Sequence, residues 1–339
     1  MMKSVYLFCF HLEESVTAFS FFDIGKQQPY WDEVAQAKKF ETQYQDRDQH
    51  TWQSLFLLLS QHNFKAALYI SGNYLERLAQ ISPETITEIG LYVKKKQLLL
   101  LGGTYHFSLA GLFSEALFTL EVKRHKDLLI SLWGIKPTIF LNTYGLYKDT
   151  DVSILSHLGF DAAITAGLNW HLAGRTTDQV FLSINKNFKL LLLPHETFHQ
   201  VDEPSFELQL YHTSEEIPWE KIQSAISSPW LLSEVLSFRT ASEFYRVPQA
   251  IGLPYKGQDL VSYTENPMQR EIIFKIKYLE ERLLRSENEM TQLILSRLTA
   301  FSHFVQLQKG SHEAPYELYL YLMNILTDIE ISLLKLPLA

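Results

Sequence analysis

The chain has 339 residues, 46% hydrophobic and 13% aromatic, enough for one large domain and a smaller one, because single cores stop growing at roughly 250–300 residues. A formal charge of -8 and a pI near 5.9 exclude broad phosphate-backbone binding, which needs a basic stripe, so no nucleic-acid partner is expected. One cysteine, Cys9, excludes an intramolecular disulfide framework and a cysteine-rich zinc site, and it fits a reducing, cytoplasmic setting.

The opening MMKSVYLFCF is followed by HLEES before an apolar signal core could develop, so VYLFCF (5–10) reads as a first buried strand. TWQSLFLLLSQHN carries apolar residues at three- and four-residue spacing and reads as a helix. KAALYI (65–70) is the next strand. Ser82, Pro83 and Glu84 then mark a helix start for SPETITEIGLYVKKK, whose lysines 94–96 read as a solvated helix end. The strand QLLLLGG (97–103) follows. Ser114 and Glu115 open SEALFTLEVKRHKDLLISLWG, which should stop at Gly134. After PTIFLNT (137–143), the helix DTDVSILSHLGF should stop at Gly159, ahead of the strands AAITAG (162–167) and KLLLLP (189–194). No apolar run approaches the roughly 20 residues of a membrane span, and no membrane partner is expected.

Strands alternating with helices imply βα units around a parallel sheet, either a barrel or a doubly wound fold. In both, chemistry gathers at the C-terminal ends of strands. Beyond the connection IGLPYKGQDLVSYTENP, the stretches PMQREIIFKIKYLEERLLRSENEMTQLILSRLTAFSHFVQLQ and APYELYLYLMNILTDIEISLLK are amphipathic and helical. The expected division is an α/β domain over 1–255 and a helical domain over 256–339.

The expected strand ends carry His11, Glu13 and Glu14; Thr104, Tyr105 and His106; Asn142, Thr143, Tyr144 and Tyr147; and His195, Glu196 and His199. Aromatic and imidazole side chains around a barrel mouth suit a saccharide, which offers an apolar face to stack on and hydroxyls to hydrogen-bond. HETFH (195–199) matches the H-E-x-x-H zinc signature, in which a helix places two imidazoles on one face. Here Pro194 precedes it and Pro204 follows, leaving no room for a helix of useful length. No nucleotide-binding glycine pattern or nucleophile elbow appears.

In order and spacing, VYLFCFH, FFDIG (21–25), KAALYISG (65–72), LLGGTYHFSLAGLFS (100–114), GIKPTIFLNT (134–143), NKNFKLLL (185–192) and the C-terminal SHFVQLQ and APYELYLYLMNILTD resemble glycoside hydrolase family 57, particularly its short α-amylase-like members. The resemblance implies an incomplete (β/α)7 barrel followed by a helical region, no cofactor and no metal. It also implies retaining chemistry on α-glucans, for which two carboxyl groups must stand about 5 Å apart. The family nucleophile falls on Tyr144, and a phenol with a pKa of about 10 is a poor replacement without a base beside it. For the acid/base position, LLPHETFHQ offers Pro194 or His195, whereas continuous register from NKNFKLLL puts Leu210 there. By the same resemblance His11, Tyr105, His106 and Asn142 line a sugar groove, with Trp170, Tyr144 and Trp219 as further rim aromatics.

Three functions remain open on these residues. The first is a catalytically inactive family member that binds an α-glucan or other oligosaccharide, or acts as a scaffold. The second is an active α-glucan hydrolase or 4-α-glucanotransferase using relocated carboxylates, for which Glu196, Glu13, Asp151, Glu215 and Glu216 are the candidates. The third is a zinc hydrolase at His195, Glu196 and His199.

Overall fold

Continuous apolar runs, unlike alternating ones, suit strands buried on both faces, and β1 (Lys3–Phe10) is buried in this way from Val5 to Phe10. The computed structural model describes residues 3–61, 64–143, 145, 149–166, 177, 179–183, 187–193, 206–225, 232–236, 240–244, 254–255, 258–259, 264, 266–286, 289–308 and 315–334. The further strands are β2 (Ala66–Ile70), β3 (Leu98–Leu100), β4 (Ile139–Leu141), β5 (Ala162–Ala166), β6 (Val180–Leu182), β7 (Lys189–Leu193), β8 (Phe206–His212) and β9 (Thr240–Phe244). The helices are α1 (Glu33–Gln43), α2 (Gln49–Gln61), α3 (Gly72–Ile81), α4 (Pro83–Lys94), α5 (Glu115–Trp133), α6 (Asp149–His157), α7 (Trp219–Ala225), α8 (Leu232–Val235), α9 (Pro267–Ser286), α10 (Glu289–Leu298), α11 (Phe301–Gln306) and α12 (Pro315–Leu334).

The chain divides into two units: Met1–Leu12, Phe40–Tyr105 and Val122–Ala250 form the first, and Glu13–Lys39, His106–Glu121 and Ile251–Ala339 the second. The sequence reading placed only 256–339 in the helical part, because periodicity cannot reveal that two earlier segments pack there.

In the first unit β1 pairs in parallel with β2 and β8, β2 with β3, β4 with β5, and β5 with β7. Gly102 joins the two ladders: its N–H donates to Ile139 O at 2.9 Å and its carbonyl accepts from Leu141 N at 2.8 Å. Seven parallel strands therefore run in the order β8-β1-β2-β3-β4-β5-β7. Among the described residues no ladder joins β7 to β8; instead β6 lies antiparallel against β7 and continues to β9. The fold is an incomplete (β/α)7 barrel.

The helix-facing side of β1 is aromatic. Phe8, Phe10 and Leu12 pack with Leu68 and Ile70 of β2 and with Trp52, Leu55 and Leu59 of α2. Phe10 stacks on Trp52 with centroids 3.9 Å apart, and each such side chain contributes about 2–3 kcal/mol on burial. Helix ends follow the sequence signals. Pro83 opens α4, Ser114 Oγ accepts from Leu117 N at 3.0 Å in the first turn of α5, and Gly134 and Gly159 follow α5 and α6 with φ of 70° and 85°.

In the second unit Asn266 and Gln269 form a reciprocal cap at the start of α9, with bonds of 2.9 and 3.2 Å. Ile272, Ile276, Leu279 and Leu283 bury one face of that helix, and Leu322, Ile325, Leu326 and Ile329 one face of α12. Asp328 of α12 accepts from Gly25 N and from Tyr30 Oη, each at 2.6 Å. No helix among the described residues is long and apolar enough to cross a membrane.

Candidate functional site

Parallel strands deliver their C-terminal residues to one end of the barrel. In the first unit these are His11 after β1, Ser71 and Asn73 after β2, Thr104 and Tyr105 after β3, Asn142 and Thr143 after β4, and His212 at the end of β8. Hydrogen bonds hold the loops that carry them. Ser71 Oγ donates to Asn73 Oδ1 at 2.6 Å and accepts from Leu12 N at 3.3 Å, while Asn73 Nδ2 donates to Leu12 O at 3.2 Å. Thr104 and Thr143 bring their hydroxyls within 3.4 Å of each other.

His125 of α5 supports the loop after β3 from behind. Gly103 N–H donates to its Nδ1 at 3.1 Å, so the proton sits on Nε2, which donates to Ile70 O at 2.8 Å. This imidazole is fully buried and neutral. Sequence reading missed it because a histidine within an amphipathic helix gives no sign that it reaches two strand ends.

Tyr105 is 3% exposed. Its ring lies so closely on Gly72 that a Cβ there would overlap it, and the Arg124 guanidinium covers it 3.9 Å from the centroid. Its carbonyl accepts from Gly72 N at 2.7 Å. Tyr105 is thus a packed residue of the loop rather than an open stacking platform. Trp219, also expected on the rim, stacks on Phe8 with centroids 5.6 Å apart, against the helix-side core.

Leu210, the sequence-derived acid/base position, lies within β8 opposite Leu7, two residues short of the strand end. His212 occupies the end itself, opposite Cys9. The sequence reading has no strand here. FELQLYH alternates instead of forming an apolar run, its Glu207, Gln209 and Tyr211 carrying hydrogen bonds to one another on the outer face. Counting by that period of two would have found both the strand and its terminal histidine.

Cys9, His11 and His212 converge, with one donor atom from each lying within 4.8 Å of the others. Cys9 is fully buried, and burial pushes its thiol pKa well up. The rings of His11 and His212 meet edge to face at 6.1 Å. After β4, Asn142 N donates to Ile164 O at 2.9 Å and its carbonyl accepts from Gly145 N at 3.2 Å. Gly145 adopts φ +72°, a conformation that side chains resist, so this glycine serves the backbone.

His106 belongs to the second unit. Its Nδ1 meets Glu121 Oε1 at 2.8 Å and its N–H donates to Oε2 at 2.7 Å, with Ser296 Oγ donating to Oε1 at 2.7 Å. Burial acts to raise the Glu121 pKa, but the His106 charge and these hydrogen bonds together hold it below the usual carboxyl value. Glu14 is buried and accepts from Arg297 Nε at 2.8 Å, and exposed Glu13 sits 3.7 Å from Lys39. Glu215 and Glu216 are exposed in the loop after β8, and Asp151 is buried in the first turns of α6. Tyr144, Tyr147, Trp170, Pro194, His195, Glu196 and His199 lie outside the described residues, and with them the zinc signature.

The model of glycosyl hydrolase family 57 matches residues 9–221. A candidate alpha-amylase of Methanocaldococcus jannaschii is 28% identical over 136 residues, which span 40% of this chain and 29% of that protein's length. Among solved structures, the 4-alpha-glucanotransferase of Thermococcus litoralis superposes with a TM-score of 0.68 at 12% identity, over 97% of this chain and 60% of that one. The family 57 branching enzyme of Thermococcus kodakaraensis gives 0.68 at 9% identity, over 97% and 89%. At these identities the structural likeness is one of fold.

Proposed function

The chain belongs to glycosyl hydrolase family 57, and from that membership we propose that it is an α-glucan-binding protein of the reducing cytoplasm that does not carry out retaining glycoside cleavage. The observation behind this reading is the chemistry of the strand ends. Retention needs a nucleophilic carboxylate and an acid/base carboxyl about 5 Å apart across the scissile bond. In the first unit the residues directly after β1, β2, β3 and β4 are His11, Ser71, Leu101 and Asn142, and β8 ends on His212; none of these is a carboxylate, and Glu215 and Glu216 stand exposed in the loop after β8. Tyr144 stands at the nucleophile position by sequence, and His212 ends the strand that should present the acid. Imidazole, amide and hydroxyl groups remain suited to bonding sugar hydroxyls. His11 and Asn142 are the side chains assigned to that role.

Calorimetric titration with maltoheptaose at millimolar concentration, run beside a reducing-end assay, tests the reading. Binding without turnover is the expected result. Absence of binding, or turnover, rejects it.

One observation favours a second reading. Asp151 is buried on the element that follows β4 and gives an active hydrolase or 4-α-glucanotransferase a relocated carboxylate. That reading requires reducing-end release that disappears in Asp151→Asn.

A further inference from the structure

We infer that Cys9, His11 and His212 form a metal site and that the ion they bind is zinc. The three side chains come from the two neighbouring strands β1 and β8, with Cys9 and His212 as register partners. His11 follows Cys9 by two residues, the spacing at which an extended chain returns to the same face. The strand pair is held in register past its end by Thr213 N donating to Cys9 O at 3.1 Å, and Phe10 O accepts from Ser71 N at 2.9 Å. The ligands therefore sit on a rigid frame.

The donor atoms lie within 4.8 Å of one another. With Zn–S about 2.3 Å and Zn–N about 2.0 Å, donors around a tetrahedral ion stand roughly 3.5 Å apart. Closing the site takes about an ångström of imidazole and thiol rotation and leaves the strands in place.

Donor chemistry selects the ion. One thiolate sulfur, its proton released to solvent as the ion binds, and two imidazole nitrogens are a borderline-soft set, which prefers zinc to magnesium or calcium. No carboxylate directly follows or ends the parallel strands among the described residues of the first unit, so a hard cation finds little there. Three protein ligands leave the fourth position for water or another oxygen donor. Cys9 is fully buried and His212 is 9% exposed, whereas His11 is half-buried and gives the ion its way in. The site does not depend on glucan binding.

The test uses the full chain stripped with EDTA. Reloading with cobalt(II) should give a thiolate-to-cobalt charge-transfer band, and zinc titrated against a chromophoric chelator should bind at one ion per chain. Cys9→Ser should abolish the band, and His11→Ala and His212→Ala should each weaken zinc by more than roughly tenfold, since changing a residue that merely orients a metal ligand already costs about 10–100-fold. Should Cys9→Ser not fold, the half-buried His11→Ala carries the test, its fold checked by circular dichroism. A folded wild-type chain without the band overturns the inference. So does zinc binding unchanged in His11→Ala, or zinc lost in His195→Gln and His199→Gln while the three proposed ligands are intact.

Discussion

Glu121 holds His106 at two points, accepting the backbone N–H at 2.7 Å through one oxygen and facing Nδ1 at 2.8 Å through the other. Both side chains are at most 5% exposed. Removing one member of such a pair leaves its partner buried without compensation. Glu121→Ala should therefore lower stability by about 3 kcal/mol in urea unfolding, with Glu121→Gln losing less because it keeps an acceptor. The Glu121 pKa is lowered in the folded protein, so protons bind the unfolded chain first and this contribution is lost as pH falls below the ordinary carboxyl range. An unfolding midpoint unchanged by Glu121→Ala would show that the pair contributes nothing net.

His303, in α11, is 1% exposed and both ring nitrogens lack a hydrogen-bond partner among the described residues. Burial lowers its pKa to about 4, with Glu14 opposing and Arg297 and His106 assisting. The unfolded chain takes up this proton near pH 6.5, so stability should decline as pH falls from about 6.5 to 4. At 1.36 kcal/mol per unit the decline amounts to roughly 3 kcal/mol. His303→Leu, similar in volume, should flatten the profile by that amount across the window; an identical slope would reject the assignment.

Gly72 and Tyr105 pack so closely that any side chain at 72 must displace the ring. Gly72→Ala should cost about 1–3 kcal/mol, the range for overpacking a core. The double variant Gly72→Ala/Tyr105→Leu should recover part of it. Equal stability of the two variants would mean that the ring moves aside freely.

Asn142 is the strand-end amide assigned to glucan contact. Asn142→Ala should weaken maltoheptaose binding about tenfold in calorimetry, the equivalent of a lost hydrogen bond of about 1.4 kcal/mol. Affinity equal to wild type would remove Asn142 from the groove.

Gly145 adopts φ +72°, and among the described residues Ala166 Cβ alone comes within 4 Å of an added methyl, at 3.6 Å. That left-handed conformation accounts for a glycine at the position.

The six apolar runs and the helices α2, α4, α5 and α6 between them are legible from composition and period alone, whereas α1 and α3 are not. Burial on both faces forces a parallel strand to be continuously apolar, and capping residues such as Ser114, Gly134 and Gly159 act locally. The family motifs carried the same information about the incomplete barrel. Only the tertiary structure found β8, whose outer face stays polar. It also showed that Leu210 is interior to that strand while His212 ends it, and that residues 13–39 and 106–121 pack with the C-terminal helices. The meeting of Cys9 and His11 with His212, more than 200 residues further along the chain, is likewise set by strand register. Local sequence fixes dihedral preference and amphipathic period, whereas which strands become neighbours depends on long-range pairing that no window of residues contains.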